Sequence, residues 1–210
     1  MLFTNNFISH KLVIIWLALI STTVLSSELA QRDSHADRHH AAEQVSQQLI
    51  KQLGSHLKKE MQSNGPIKAI TVCKDIAPEI ANELSLKNGW RVTRVSSKPR
   101  NALLGTADKW ESETLASFEL RASKGEHFSN MSKAEVTVEA GKSYYRFMKP
   151  LTVKPVCLMC HGNEEQISPA VKSQLDLLYP YDQAKDYKIG DLRGAISIKQ
   201  PMNIPLSKKF

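Results

Sequence analysis

Three cysteines constrain this chain more than anything else in its 210 residues. Cys157, Cys160 and His161 stand in VCLMCHG as C-x-x-C-H, and Cys73 is the third. A count that is odd and low argues against a disulfide framework, so each sulfur needs a use of its own. C-x-x-C-H is the attachment signature of a c-type haem. Two thiols three residues apart can each add to one of the two porphyrin vinyl groups, and the adjacent imidazole is then carried beneath the iron. The motif therefore predicts one covalent haem c per chain, with His161 as a metal ligand. Two other uses compete. A thiol-disulfide oxidoreductase also carries C-x-x-C, but its pair usually opens a helix after a strand, whereas Pro155-Val156 precede and Gly162-Asn163 follow this one in what reads as a loop. A structural zinc site would need a fourth ligand, which Cys73 could complete as a Cys₃His set.

The N-terminus sets the compartment. Leu12 to Leu25 carries no charge, a length that suits a secretory signal and falls short of the ~20 apolar residues of a membrane span. We expect residues 1–30 to be an export signal, cut near Ser26 or Ala30, or else retained as an uncleaved inner-membrane anchor. The remainder is then periplasmic, where haem attachment takes place. Residues 31–44 read as a polar linker or helix start, 45–200 as the working domain and 201–210 as a tail. The net charge of +7 is spread along the chain instead of gathered in a run, so a nucleic-acid partner is not expected.

Periodicity then gives an α+β chain. Val45, Leu49, Leu53, Leu57 and Met61 recur every four residues as a helical stripe, stopped by Asn64-Gly65-Pro66. Ile67, Ile70, Cys73, Ile76 and Ala77 share a second helical face, which turns Cys73 inward, and Pro78 begins a new turn. Trp90 to Ser96 alternates like a half-buried strand, and Trp110 to Ala122 reads as a helix capped by Asp108. Lys133–Glu139 and Ser143–Pro150 form a hairpin about Ala140-Gly141-Lys142. A short helix over 168–179, a loop over 182–191 and a last strand over 192–199 complete the chain.

Several blocks of the chain resemble one family: AITVCKDIAPEIA from Ala69, GWRVTRVSSKPRN from Gly89, DKWE from Asp108, YYRFMKPLTVKPVCLMCHG from Tyr144, and YPYDQAKDYKIGDLRGAISI from Tyr179. Together they resemble the single-haem group known as "c-type heme family protein". The resemblance implies a PAS-like haem-binding fold, an antiparallel sheet with flanking helices behind a long N-terminal helix. The chain departs from the family in carrying Ala102 and Ala107 where prolines are usual. From the residues alone, Met131, Met148, Met202, His127 and Cys73 all remain candidates for the second axial ligand. The resemblance implies Cys73, because the family pairs its proximal histidine with a cysteine in the matching block. Trp90, Tyr144, Tyr145, Phe147 and Met148 are candidates for the haem wall, and Arg94, Lys98, Arg100 and Arg146 for pairing with the propionates.

A His/Cys-ligated iron has a low potential, because an anionic thiolate favours the ferric state. The expected function is a one-electron carrier that exchanges electrons with a redox partner protein. The alternative is a haem-based redox or gas sensor read by a signalling protein, since the chain carries no output segment after Lys199. No nucleophile-base pair or carboxylate dyad marks an enzyme.

Overall fold

The computed structural model describes the backbone of residues 9–206 and the side chains of residues 35–206. Contacts divide the chain into residues 1–40 and 41–210. The first unit is helical from Ser9, and the expected export signal falls on residues whose side chains lie outside the described ones. The second unit holds the sheet and the site.

Helix α1 runs Ser9–Thr71 with a break at Gly65 (φ 76°, ψ −177°). That left-handed backbone is open to glycine and closed to most residues, so the expected stop is a kink within one helical element. Before the kink, Ala41, Ala42, Val45 and Leu49 are buried, and the core thus takes in the last turn of the stretch read as a linker or helix start. After it, Ile70 is buried but Ile67 is 41% exposed; the inward face starts only once the turn after Pro66 is complete. A π-helical turn, Val72–Ile76, follows and carries Cys73. Such single-turn widenings interrupt α-helices frequently at functional sites. Helix α2, Ala77–Asn88, takes Pro78 in its first turn and ends on left-handed Gly89. The proline's fixed φ suits the first turn of a helix, and its missing N–H falls where the ladder changes from the wide π turn to α2.

Four strands, β1 Arg91–Val95, β2 Lys133–Glu139, β3 Lys142–Thr152 and β4 Leu192–Pro201, form an antiparallel sheet in the order β1-β4-β3-β2. The β2–β3 turn has positive φ at Ala140 (47°) and Gly141 (75°), the twist a two-residue hairpin needs. Alternation gives the sheet two apolar faces. On one, Val45, Leu49, Ile80 and Leu84 of α1 and α2 cover Val92, Phe147, Ile196 and Ile198. On the other, Leu115 and Phe118 of α4, Lys109–Ser123, cover Met131, Met148 and Ala195. Phe118 and Phe147 are fully buried, each contributing about 1.5–3 kcal/mol by the transfer scale. Leu120, by contrast, is 57% exposed.

Asp108 caps α4 as expected. It accepts the Glu111 N–H at 2.8 Å, while the Glu111 carboxylate accepts the Asp108 N–H at 2.8 Å. Glu111 is almost fully buried and is held by the Ser197 hydroxyl (2.6 Å) and Arg146 (3.2 Å). A further short helix, α3 Ala102–Gly105, lies between β1 and α4, with Asn101 accepting from the Leu103 and Leu104 N–H groups.

Candidate functional site

The C-x-x-C-H segment folds as a 3₁₀ turn, Pro155–Cys157, running into a single helical turn α5, Leu158–His161. The reading of this stretch as plain loop is thus corrected. Helical pitch carries Cys157, Cys160 and His161 round one turn, and all three line a cavity of about 610 Å³. Cys73 and Lys74 from the π turn line the same cavity, with Leu57 and Met61 from α1. Arg94, Arg100 and Arg193 enter from the strands and the loop after β1, and Tyr179 lies at the end of α6, Pro169–Leu178. The volume lies within the ~300–1,000 Å³ typical of small-molecule and cofactor pockets.

His161 is oriented from behind. Its Nδ1–H donates to the Ala184 carbonyl at 2.8 Å. Burial, then the Arg193 and Arg100 charges, hold the imidazole well below its ordinary range. A neutral ring that donates through Nδ1 keeps its lone pair on Nε2, which here accepts a hydrogen bond. Arg193 Nε lies 3.5 Å from that nitrogen. Burial pushes the Cys160 thiol up, against the lowering by the Arg100 charge, with Cys73 and Cys157 adding to the rise. The Tyr179 phenol is pushed up to about 12 by burial and by its nearness to Cys73.

Two apolar clusters grip the motif. Cys160 packs on Ile70, Ile167, Val171 and Leu175, and Cys157 with Leu158 packs on Val153, Ala184 and Tyr187. The segment 182–187 is tied to the motif by backbone bonds, Asp186 N–H to the Gly162 carbonyl (2.9 Å) and Tyr187 N–H to the His161 carbonyl (3.0 Å).

Cationic residues crowd the cavity. Arg100 is paired with Asp182 at 3.0 Å, but among the described residues no carboxylate stands within ion-pair distance of Arg94 or Arg193. Arg193 instead donates to the Ser96 hydroxyl (3.0 Å) and the Lys98 carbonyl (3.4 Å). The motif reading missed Arg193, for a structural reason. Leu151 pairs with Gly194 and Thr152 with Leu192, so Arg193 is the extra residue of a β-bulge. A bulge re-aims a side chain that alternation would have sent to the other face. Gly194 permits it at φ 148°, where a Cβ would lie 2.3 Å from the Val95 carbonyl oxygen.

Other expected contacts are not at this cavity. Arg146 lies under α4, ion-paired to Asp108 (2.7 Å), Glu111 (3.2 Å) and Glu139 (3.4 Å), because its strand parity points it to the face opposite α1 and α2. Tyr145 faces the α1–α2 side but is buried in the core there, with Phe147. Neither lines the cavity. Met131 and Met148 are fully buried under α4, and His127 and Met202 also lie outside the lining, so Cys73 alone of the candidate sixth ligands faces the C-x-x-C-H wall. Among the described residues no three His, Cys, Asp or Glu side chains converge as a metal-ion site, so the zinc set is not assembled.

A four-stranded antiparallel sheet with helices on both faces, and a cavity lined by the C-x-x-C-H turn, define an α+β domain that carries a pocket. The chain belongs to the Tll0287-like family, whose model matches residues 23–201. Its fold is also that of a solved structure, titled the crystal structure of the cyanobacterial heme-protein Tll0287. The two share 21% identity with a TM-score of 0.55, over 85% of this chain and 98% of the other. The α+β architecture and the family membership expected from the sequence blocks are thus borne out. No curated protein matches the chain.

Proposed function

We propose that this protein is an exported haem c protein that carries single electrons, with the haem bound through Cys157 and Cys160 and the iron between His161 and Cys73. One observation carries the reading: the attachment motif opens onto the same cavity as the third cysteine and two guanidinium groups without carboxylate partners. A cationic cavity of this kind needs an anionic occupant, and a haem brings two propionates. Arg94 and Arg193 are the residues to receive them. Arginine's planar fork suits a carboxylate.

The residues present fit the group on chemical grounds as well. The Ala184 carbonyl fixes the tautomer of His161 with the lone pair on Nε2, the arrangement usual for metal-ligating histidines, and the iron would take the place of the Arg193 Nε–H that Nε2 now accepts. Leu53, Leu57 and Val156 supply apolar wall, which excludes water and lowers the local dielectric. When bound, the haem supplies one-electron exchange between ferric and ferrous iron. The protein's part is to hold it, to donate a thiolate from Cys73 and so favour the ferric state, and to compensate the propionates. The family resemblance and the similar cyanobacterial heme-protein support the same reading.

The test is an optical titration of protein expressed with a haem-attachment system. Low-spin spectra in both oxidation states, unaffected by carbon monoxide, are the expected result for a carrier. Ready binding of carbon monoxide by the ferrous protein would overturn that role in favour of a gas sensor. A colourless protein holding stoichiometric zinc would overturn the haem reading itself.

A further inference from the structure

Asp182 bonds both Arg100 and Ala184, the two residues that in turn bond Cys160 and His161 of the C-x-x-C-H turn, and its side chain is only 1% exposed. Its Oδ1 accepts the Ala184 N–H at 2.8 Å, and its Oδ2 accepts from Arg100 Nε at 3.0 Å. Arg100 in turn donates through Nη2 to the Cys160 carbonyl. The carbonyl of Ala184 accepts from His161 Nδ1 at 2.8 Å. The bonds close a ring: Asp182 to Arg100, Arg100 to Cys160, Cys160 along the chain to His161, His161 to Ala184, and Ala184 back to Asp182. Its anchors are firm, because Gln183 N–H also bonds the Pro99 carbonyl at 3.1 Å and Ala184 is fully buried.

We infer that Asp182 is a positioning residue that sets the orientation and electron richness of His161, and through it the redox potential of the site. This rests on the haem reading above and deepens it. Two effects act in the same direction. The carboxylate fixes the Ala184 turn, which keeps the Nδ1–H···O bond short and the imidazole a stronger donor, and its negative charge balances Arg100 beside the iron's ligand. Both favour ferric over ferrous iron. Neither depends on Asp182 touching the cofactor. A buried carboxylate that served only to hold the loop would stabilise the fold and leave the iron unchanged.

The experiment compares the haem-loaded wild type with Asp182→Asn and Asp182→Ala, reading the midpoint potential, the ferric spectrum and the melting temperature. Asn keeps an oxygen for the Ala184 N–H but loses the charge. The potential should therefore rise, with a shift of about tenfold in the ferric-ferrous equilibrium, or ~59 mV for a one-electron couple. Asp182→Ala should add a fall in the low-spin fraction, because the turn behind His161 loosens. Asp182→Glu should restore part of the potential. Should Asp182→Ala fail to accumulate, the near-isosteric Asn variant decides alone. Wild-type potential and spectrum in Asp182→Asn, with only the melting temperature lowered, would overturn the inference. Absence of haem from the wild type would instead defeat the haem reading, so the two failures are distinguishable.

Discussion

At the scale of single residues, what faces the cavity decides what it can hold. Cys73 does, from the π turn, and the methionines and the histidine that competed with it do not. Cys73→Ser is nearly isosteric, so the fold should lose only about 1–2 kcal/mol if the hydroxyl keeps a partner. The iron should change more: with the thiolate gone, the potential rises and the ferric spectrum moves from low toward high spin. Absorption and electron spin resonance of the two ferric proteins side by side check this, and identical low-spin spectra would reject Cys73 as the ligand. These residues were unevenly legible in the sequence. Cys157, Cys160 and His161 announce themselves by spacing, because C-x-x-C-H is the attachment signature of a c-type haem. Arg94 and Tyr145 were both predicted, yet only Arg94 lines the cavity. Strand alternation fixes a face but not how far along that face a pocket extends.

At the scale of elements, a cap and a bulge carry consequences. Burial alone would raise the Asp108 carboxyl, but the Arg146 hydrogen bond and the Glu111 N–H outweigh it and lower it below its ordinary value. A carboxyl lowered in the folded state contributes stability that is complete above its unfolded value near ~3.9 and is lost as pH falls through the lower folded value. Asp108→Ala should therefore cost about 1 kcal/mol at neutral pH, the usual cost of losing an N-cap. The gap between variant and wild type in urea midpoint should narrow as the pH falls below the ordinary carboxylate value near ~3.9 and that carboxyl takes up its proton. A gap that persists unchanged to pH 2 would contradict the assignment. In β4, Gly194→Ala forces a Cβ onto the Val95 carbonyl oxygen, so the bulge must shift and take Arg193 with it. The expected outcome is loss of haem retention together with a lowered melting temperature. Here the sequence was silent, because a bulge inserts one residue without any change of composition, and alternation counted through it puts Arg193 on the wrong face. The helix cap, by contrast, was readable from Asp108, though its return bond from Glu111 was not. The kink at Gly65 was half readable: the Asn-Gly-Pro stop and the helical face resuming after it were visible, but not that Ile67 stays exposed on that face.

At the scale of the whole molecule, the sheet order β1-β4-β3-β2 explains where the cavity lies. The hairpin β2–β3 and the returning β4 build a sheet whose β1 end carries Arg94, while α1, the π turn and α2 close over it with Cys73. The C-x-x-C-H turn follows β3 directly, so the attachment thiols leave the sheet at the end where the arginines gather. The α+β class and the hairpin followed from periodicity, since one side of each element is buried. The meeting of Cys73 with Cys160 did not, because 87 residues of sequence separate them and only the packing of α1 against α6 through Ile70 brings the two sides together. Export is argued from the apolar run before Ser26, and protein recovered from the periplasm should lack residues up to about Ser26 or Ala30 by mass. Met1 retained in a membrane fraction would establish the anchored form. The central claim is tested most directly by denaturing mass measurement of the chain expressed with a haem-attachment system. One covalent haem per chain is predicted, still bound after acid-acetone extraction and lost when Cys157 and Cys160 are both replaced by alanine. A denatured chain at its bare polypeptide mass would contradict it.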